Sequence, residues 1–247
     1  MKPPPITNTP PAFSSRRSDT GDLYTIYVHA PDGGPHPAVI VLDGDYFFDP
    51  AVAASRSLSE EGRAPAATVI GVGYGAGFGR PGNHRGRDYT TTPSKDEPRS
   101  GGAKAFLDYA AGELWPELAG RYDLRKDHRV LAGHSLGSLA VLRALFDDSP
   151  FFSRALASAP SIWWDDRSLL AWVSSLRDRN PDLPGKLYLG VGEEDTPSML
   201  GDLSLLEAQL ESRPFRGLEV TSQRFPGLDH YNVLATSLRE GLASVLP

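Results

Sequence analysis

No cysteine occurs among the 247 residues, which removes disulfides, thiolate metal sites and a cysteine nucleophile together. Long apolar runs are missing too: none approaches the ~18 residues that a membrane-crossing helix needs. The opening residues, Met1-Lys2-Pro3-Pro4-Pro5, lack the apolar segment of a secretion signal, so a soluble, cytoplasmic protein is expected. Positive charge is in deficit. Lys and Arg total 25 against 31 Asp and Glu, a net charge of −6, so a basic face for a phosphate backbone is not expected. Neither nucleic acid nor a membrane is expected as a partner. A hydrophobic share of 40% and a charged share of 23% exclude disorder over the whole chain.

Five prolines fall in the first dozen residues (Pro3, Pro4, Pro5, Pro10, Pro11), so 1–12 reads as an extended, poorly ordered arm. No linker divides the rest of the chain, and 13–247 reads as one domain. Leu23 to His29 alternates like a half-buried strand. Ala38-Val39-Ile40-Val41-Leu42 is a continuous β-branched run, as expected of a strand covered on both faces. Ala67–Val72, Arg129–Ala132 and Leu187–Val191 repeat that character. Helix-like stretches lie at about 51–62, 101–120, 136–147, 166–178, 202–213 and 231–245. Buried strands alternating with helices predict an α/β fold: a mostly parallel central sheet with helices on both faces. Ligands of such sheets sit beyond the C-terminal ends of the strands. The longest stretch without pattern, 73–100, is rich in Gly, Arg, Thr and Pro and reads as a functional or disordered loop.

Directly after Val130-Leu131-Ala132 comes Gly133-His134-Ser135-Leu136-Gly137, a G-x-S-x-G pentapeptide that runs into a strong helix pattern. A serine on a sharp strand-to-helix turn is lifted clear of the sheet, at a helix N-terminus that favours developing negative charge. Such a hydroxyl needs a base. Of six histidines only His230 lies C-terminal to Ser135, just past the strand-like Leu218–Phe225 and a Pro226-Gly227-Leu228-Asp229 turn. The acid is expected between them, after Leu187–Gly192. Asp195 is the candidate, with Glu193 or Glu194 as substitutes, and its role would be to fix the imidazole tautomer. Two N–H donors are expected to hold the tetrahedral oxygen, worth roughly 3–4 kcal/mol each. The candidates are Leu136 and, in the Asp43-Gly44-Asp45-Tyr46 loop, Asp45, with Tyr46 as the alternative and an ordinary Asp-Gly turn as the bland reading.

Other chemistries find little support. Gly71-Val72-Gly73-Tyr74-Gly75-Ala76 fits a degenerate dinucleotide pattern, but no helix pattern opens there to receive a phosphate. His128 and His134 are not at the helical spacing of a metal pair, and neither a metal nor another cofactor is expected.

Leu42-Asp43-Gly44, Arg87-Asp88-Tyr89-Thr90, Gly133–Gly137 and Pro160-Ser161-Ile162-Trp163-Trp164, in that order, resemble the esterase branch of the α/β-hydrolases. That branch holds the catecholate siderophore esterases, the esterase D relatives and the feruloyl-type esterases. The resemblance spans most of 13–247 and implies an α/β-hydrolase fold with no large lid. The tryptophan pair and the Arg-Asp-Tyr-Thr loop lean toward the siderophore esterases, in which the acid can be a glutamate or of little weight, leaving a Ser–His dyad. The implied activity is a serine carboxylic-ester hydrolase working through an acyl-enzyme on Ser135. Its substrate partner is a small-molecule ester of siderophore, aryl or short-acyl type. A binding protein that keeps the fold without the chemistry, and a thioesterase or peptidase with the same residues, remain alternatives. The oligomeric state is left open. From position at the sheet edge, one of Trp163 and Trp164 is expected to line the pocket, with Tyr46 beside it. Arg87 would bind a substrate carboxylate or phenolate, unless it is only one of many solvated arginines.

Overall fold

The computed structural model describes residues 5–95 and 97–247; Met1–Pro4 of the arm and Asp96 of the 73–100 loop lie outside the described residues. Eight strands form one sheet: β1 (Phe13–Arg16), β2 (Leu23–His29), β3 (His36–Leu42), β4 (Thr68–Gly73), β5 (Leu124–His134), β6 (Arg154–Ser158), β7 (Asp182–Gly192) and β8 (Arg216–Phe225). Their spatial order is β1-β2-β4-β3-β5-β6-β7-β8. The β1–β2 and β2–β4 pairs are antiparallel, and every other pair is parallel. This is the expected mostly parallel sheet.

The β-branched run of β3 explains why both faces are covered. Successive side chains of a strand point to opposite faces. Val39 and Val41 enter a core with Phe47, Phe48 and Leu58 of α1 (Gly44–Glu60) and Leu238 and Leu242 of α8 (Val233–Val245). Ile40 and Leu42 enter the opposite core, with Leu139 and Leu142 of α5 (Leu136–Leu145). That second core also takes in α3 (Ala103–Tyr109), α4 (Trp115–Arg121), α6 (Trp164–Arg179) and α7 (Pro197–Ser212).

Several element boundaries differ from the sequence expectation. The edge strand β1 has no counterpart in the sequence pattern and pairs antiparallel with β2. Helix α1 begins at Gly44 rather than near 51 and carries Pro50 inside it. Buried Phe47, Ala51, Ala54 and Leu58 form one apolar stripe at helical spacing, and its burial overrides the missing proline donor. The stretch expected as one helix over 101–120 is α3 and α4 joined by a π-helical turn, Ala110–Leu114. Pro116 has no N–H to offer the Gly112 carbonyl, which accounts for the loosened winding. Helix α7 starts early because Thr196 caps it, its hydroxyl accepting the Met199 N–H, with Pro197 in the first turn. The arm has no helix or strand over 5–12, yet it is tied down. Thr7 and Thr9 donate their hydroxyls to Asp49 at 2.5 and 2.8 Å, and the Thr7 N–H donates to the Asp45 carbonyl.

The 73–100 loop is more built than its composition suggests. It contains a one-turn helix, α2 (Arg85–Asp88), followed by buried Tyr89 and Thr90. Buried Asp88 accepts hydroxyl protons from Tyr24 (2.8 Å) and Tyr74 (3.1 Å) and the Arg87 Nε–H (2.7 Å). Burial, with the Asp88 charge adding to it, pushes the Tyr24 phenol far up, so it stays a donor. Among the described residues no helix is long and apolar enough to cross a membrane.

Candidate active site

Ser135 stands between β5 and α5 with φ 57° and ψ −121°, a conformation that L-residues rarely adopt and that marks a strained site. The surroundings enforce it. Its N–H donates to the Ser158 carbonyl at 3.0 Å, and its own carbonyl accepts from Ser138, Leu139 and Ser161. The Ser138 hydroxyl bonds the carbonyls of Gly133 and Ser158, both at 2.7 Å, stitching the turn to β6. A β-carbon on Gly133 would lie 2.5 Å from the Gly137 carbonyl carbon, so only glycine fits where the strand and helix cross. Gly137 itself is less constrained: a β-carbon there would meet its neighbours at 3.6 Å, an ordinary contact.

His230 follows β8. The Asp229 carboxylate accepts the N–H groups of Tyr231 and Asn232, and Asn232 accepts that of Asp229, which fixes the turn that carries the imidazole. The loop after β7 is laced to this turn: Glu193 N–H donates to the Phe225 carbonyl and Glu194 N–H to that of Leu228. Asp195 is thereby buried with one oxygen 2.8 Å from His230 Nδ1, while its other oxygen accepts the Thr196 N–H at 2.7 Å. Glu193 and Glu194 point to solvent. Of the three candidate acids, Asp195 is the one brought to the imidazole.

Ser135 and His230 line one cavity of about 90 Å³, with Phe47, Phe78, Arg85, His134, Tyr231 and Leu234 as its other walls. The Ser135 hydroxyl also faces the Ser161 hydroxyl at 3.3 Å. No hydrogen bond joins Ser135 to His230 in this conformation; what they share is the cavity. His134 lies against the His230 ring, centroids 4.8 Å apart, and bonds Ser158 through Nδ1. Burial pushes the His134 imidazole well below its ordinary range, so it is a neutral wall.

Both candidate oxyanion donors sit in the first turn of a helix, where N–H groups lack intrahelical partners. Neither Leu136 N–H nor Asp45 N–H is taken up by another described residue. The two helix starts abut, since a β-carbon on Gly137 would lie 3.6 Å from Asp43 Oδ2 and from Leu42 Cβ. The Asp45 carboxylate is occupied elsewhere, accepting from Tyr74 N–H, Gly75 N–H and the Tyr27 hydroxyl, and it does not line the cavity.

The expected substrate-binding residues are placed differently. Arg87 does not line the Ser135 cavity: Asp22 and Asp88 hold its guanidinium, both at 2.7 Å. Two positions earlier, Arg85 does line it. Tyr46 stands one layer back, its ring packed on Phe78 at 4.1 Å and its hydroxyl accepting the Phe78 N–H. Trp164 is buried, with its indole N–H donated to the Thr92 carbonyl at 3.1 Å. Trp163 is 45% exposed, and neither tryptophan lines the cavity. The residues that sequence reasoning missed are Phe47, Phe78, Arg85, His134, Tyr231 and Leu234 of the cavity wall, and Ser161 beside the serine. His134, inside the pentapeptide, and Ser161, just after the β6 strand, stood where a signal could have been read.

A family described as "Putative esterase" matches residues 18–243. Ferri-bacillibactin esterase BesA of Bacillus subtilis is 28% identical, with 95% of this chain and 88% of that one covered. The siderophore triacetylfusarinine C esterase of Aspergillus fumigatus is 26% identical over 91% of this chain and 89% of its own. The crystal structure of the BES protein from Bacillus cereus superposes with a TM-score of 0.87 at 28% identity, covering 99% of this chain and 97% of that one. The chain therefore belongs to this esterase family and is a carboxylic ester hydrolase.

Proposed function

We propose that the chain hydrolyses siderophore-type esters through an acyl-enzyme on Ser135, with His230 as general base and Asp195 as its orienting acid. The observation that carries the reading is the strained Ser135 at the head of α5, in one cavity with an imidazole whose Nδ1 lies 2.8 Å from a buried carboxylate. With Nδ1–H donated to Asp195, Nε2 is left as the basic nitrogen. A change in the Ser135 side-chain rotamer away from Ser161 gives Nε2 the hydroxyl proton, and Oγ attacks the ester carbonyl. The tetrahedral oxygen is held by the Leu136 and Asp45 N–H groups at the two helix starts. His230 returns the proton to the departing alcohol, then takes one from water to release the acid. The siderophore class rests on the names of the relatives, a ferri-bacillibactin esterase and a triacetylfusarinine C esterase.

The test is covalent. A fluorophosphonate probe is expected to add one phosphonyl group to the chain, mapped by mass spectrometry to Ser135, and a chain left unlabelled would defeat the proposal. The role of the acid is read separately. Asp195→Asn keeps the shape but favours the wrong imidazole tautomer, and a loss of about 10²–10⁴ in kcat is expected. A change of only a few-fold would mean that Ser135 and His230 work as a dyad.

A further inference from the structure

The start of α1 carries the Asp45 N–H, and this stretch of helix is short of its usual fastenings. Asp43 stands at the N-cap with left-handed angles, φ 53° and ψ 43°, and its side chain caps nothing, because both of its oxygens are taken by Arg85. Pro50 has no N–H for the Tyr46 carbonyl, so the next rung of the helix is missing as well. A donor aimed at a tetrahedral oxygen nonetheless has to stay within about 0.5 Å of its working position.

Two sets of contacts make up the deficit. From the sheet and the loop after β4, the Tyr27 hydroxyl and the N–H groups of Tyr74 and Gly75 hold the Asp45 carboxylate. The N-terminal arm supplies the second set. Thr7 donates its N–H to the Asp45 carbonyl at 2.6 Å, in the peptide plane directly after the one that carries the Asp45 N–H. One turn along α1, Asp49 accepts the Thr7 hydroxyl on one oxygen and the Thr9 hydroxyl on the other, and Thr7 Oγ1 accepts the Thr9 N–H at 3.0 Å. Ile6 reaches the loop behind. A β-carbon on Gly77 would lie 3.7 Å from Ile6 Cδ1 and 3.0 Å from the Tyr46 hydroxyl, which itself accepts the N–H of Phe78, a wall of the Ser135 cavity. The sheet edge is served by a different stretch, since Ala12 and β1 pair with β2. Thr7 and Thr9 reach the first two turns of α1 instead.

We propose that Thr7 and Asp49 are positioning residues for the reaction: the arm clamps the start of α1 and keeps the Asp45 N–H aimed at the tetrahedral oxygen. The clamp rests on the reading of Asp45 as an oxyanion donor. Neither Thr7 nor Asp49 lines the Ser135 cavity, so the clamp acts on the transition state and not on ester binding.

Three variants of the full chain test it on a nitrophenyl butyrate. Asp49→Ala releases both threonine hydroxyls. Thr7→Pro removes the N–H and the hydroxyl together while suiting an extended arm. Thr7→Ser keeps both donors. In the first two, kcat is expected to fall about fivefold to thirtyfold, a part of the roughly 10²–10³ that a whole oxyanion donor is worth, with KM within about twofold. Thr7→Ser is expected to stay within about twofold of the parent in both. A trifluoromethyl ketone, which adds to the serine and sets a tetrahedral oxyanion in the same place, should lose affinity by the same factor as kcat. The secondary alcohol of the same carbon skeleton cannot form that adduct and should bind as before. The pH profile of kcat/KM should not move, because the clamp does not reach His230. Urea unfolding is followed alongside, and rates are taken where every variant is fully folded. Unchanged kcat in both Asp49→Ala and Thr7→Pro overturns the clamp. So does a loss shared equally by ketone and alcohol, or a displaced pH profile, either of which marks a general loosening. Failure of the hydrolase reading looks different: the parent chain itself turns over no ester and takes no fluorophosphonate, and the clamp falls with it. An active, labelled parent beside unmoved variants sinks the clamp alone.

Discussion

Ser135→Ala is expected to lower turnover of a nitrophenyl ester by roughly 10⁶-fold, the scale seen when the nucleophile of a serine hydrolase is removed. The fold should be untouched, because the Ser135 hydroxyl reaches only the Ser161 hydroxyl. Ser135→Gly sharpens the result. At φ 57° and ψ −121° a side chain is strained, and backbone strain of this kind costs about 1–3 kcal/mol. Glycine removes it, less the extra entropy its unfolded chain carries. The glycine variant should therefore be inactive yet unfold at a higher denaturant concentration than the parent. Retained turnover in either variant would remove Ser135 from the chemistry. A destabilised glycine variant would show that the strain is not stored where the backbone angles put it.

The second large effect concerns a residue with no side chain. Gly133→Ala puts a β-carbon 2.5 Å from the Gly137 carbonyl carbon and 2.7 Å from its oxygen, both backbone atoms with no rotamer to yield. Either β5 or α5 must shift. A loss of at least ~3 kcal/mol, or failure to fold, is expected by chemical denaturation, with esterase activity gone. Gly137→Ala is the control. Its β-carbon meets Leu42 and Asp43 at 3.6 Å, so a change within about 1 kcal/mol is expected, with helix propensity partly offsetting the added contact. Equal damage from the two substitutions would contradict the crossing geometry. The pentapeptide motif treats its glycines alike, whereas the packing does not.

What could be read from the sequence was what local chemistry decides. The apolar runs at Ala38–Leu42 and Leu187–Val191 became interior strands because their side chains are buried on both faces. The strand–Gly-x-Ser-x-Gly–helix succession located the elbow, and the single downstream histidine located the imidazole beside it. Asp195 could not be separated from Glu193 and Glu194 by spacing; the two backbone hydrogen bonds that lace the neighbouring loops do so, by burying only the third residue. Arg85 and Arg87 are a sharper case. They flank Gly86 in a one-turn helix, and which of them faces the serine depends on where Asp22, Asp43 and Asp88 stand, residues distant along the chain or buried beneath it. The tryptophans fail for a related reason. Asp165, Asp166 and Arg167 all adopt left-handed backbone angles, and no residue-type preference predicts three such residues in succession. Trp164 donates its indole N–H to Thr92 of the 73–100 segment, and Trp163 stands 45% exposed.

That segment is fastened at many points between Tyr74 and Thr90: Arg85 to Asp43, the Asp43 N–H to the Tyr89 hydroxyl, and Asp88 to two tyrosines and an arginine. Swinging it aside would strand several charges in a dry interior at once. The doorway to the serine is in consequence a standing aperture, whose width is set when the protein folds and not by each arriving guest.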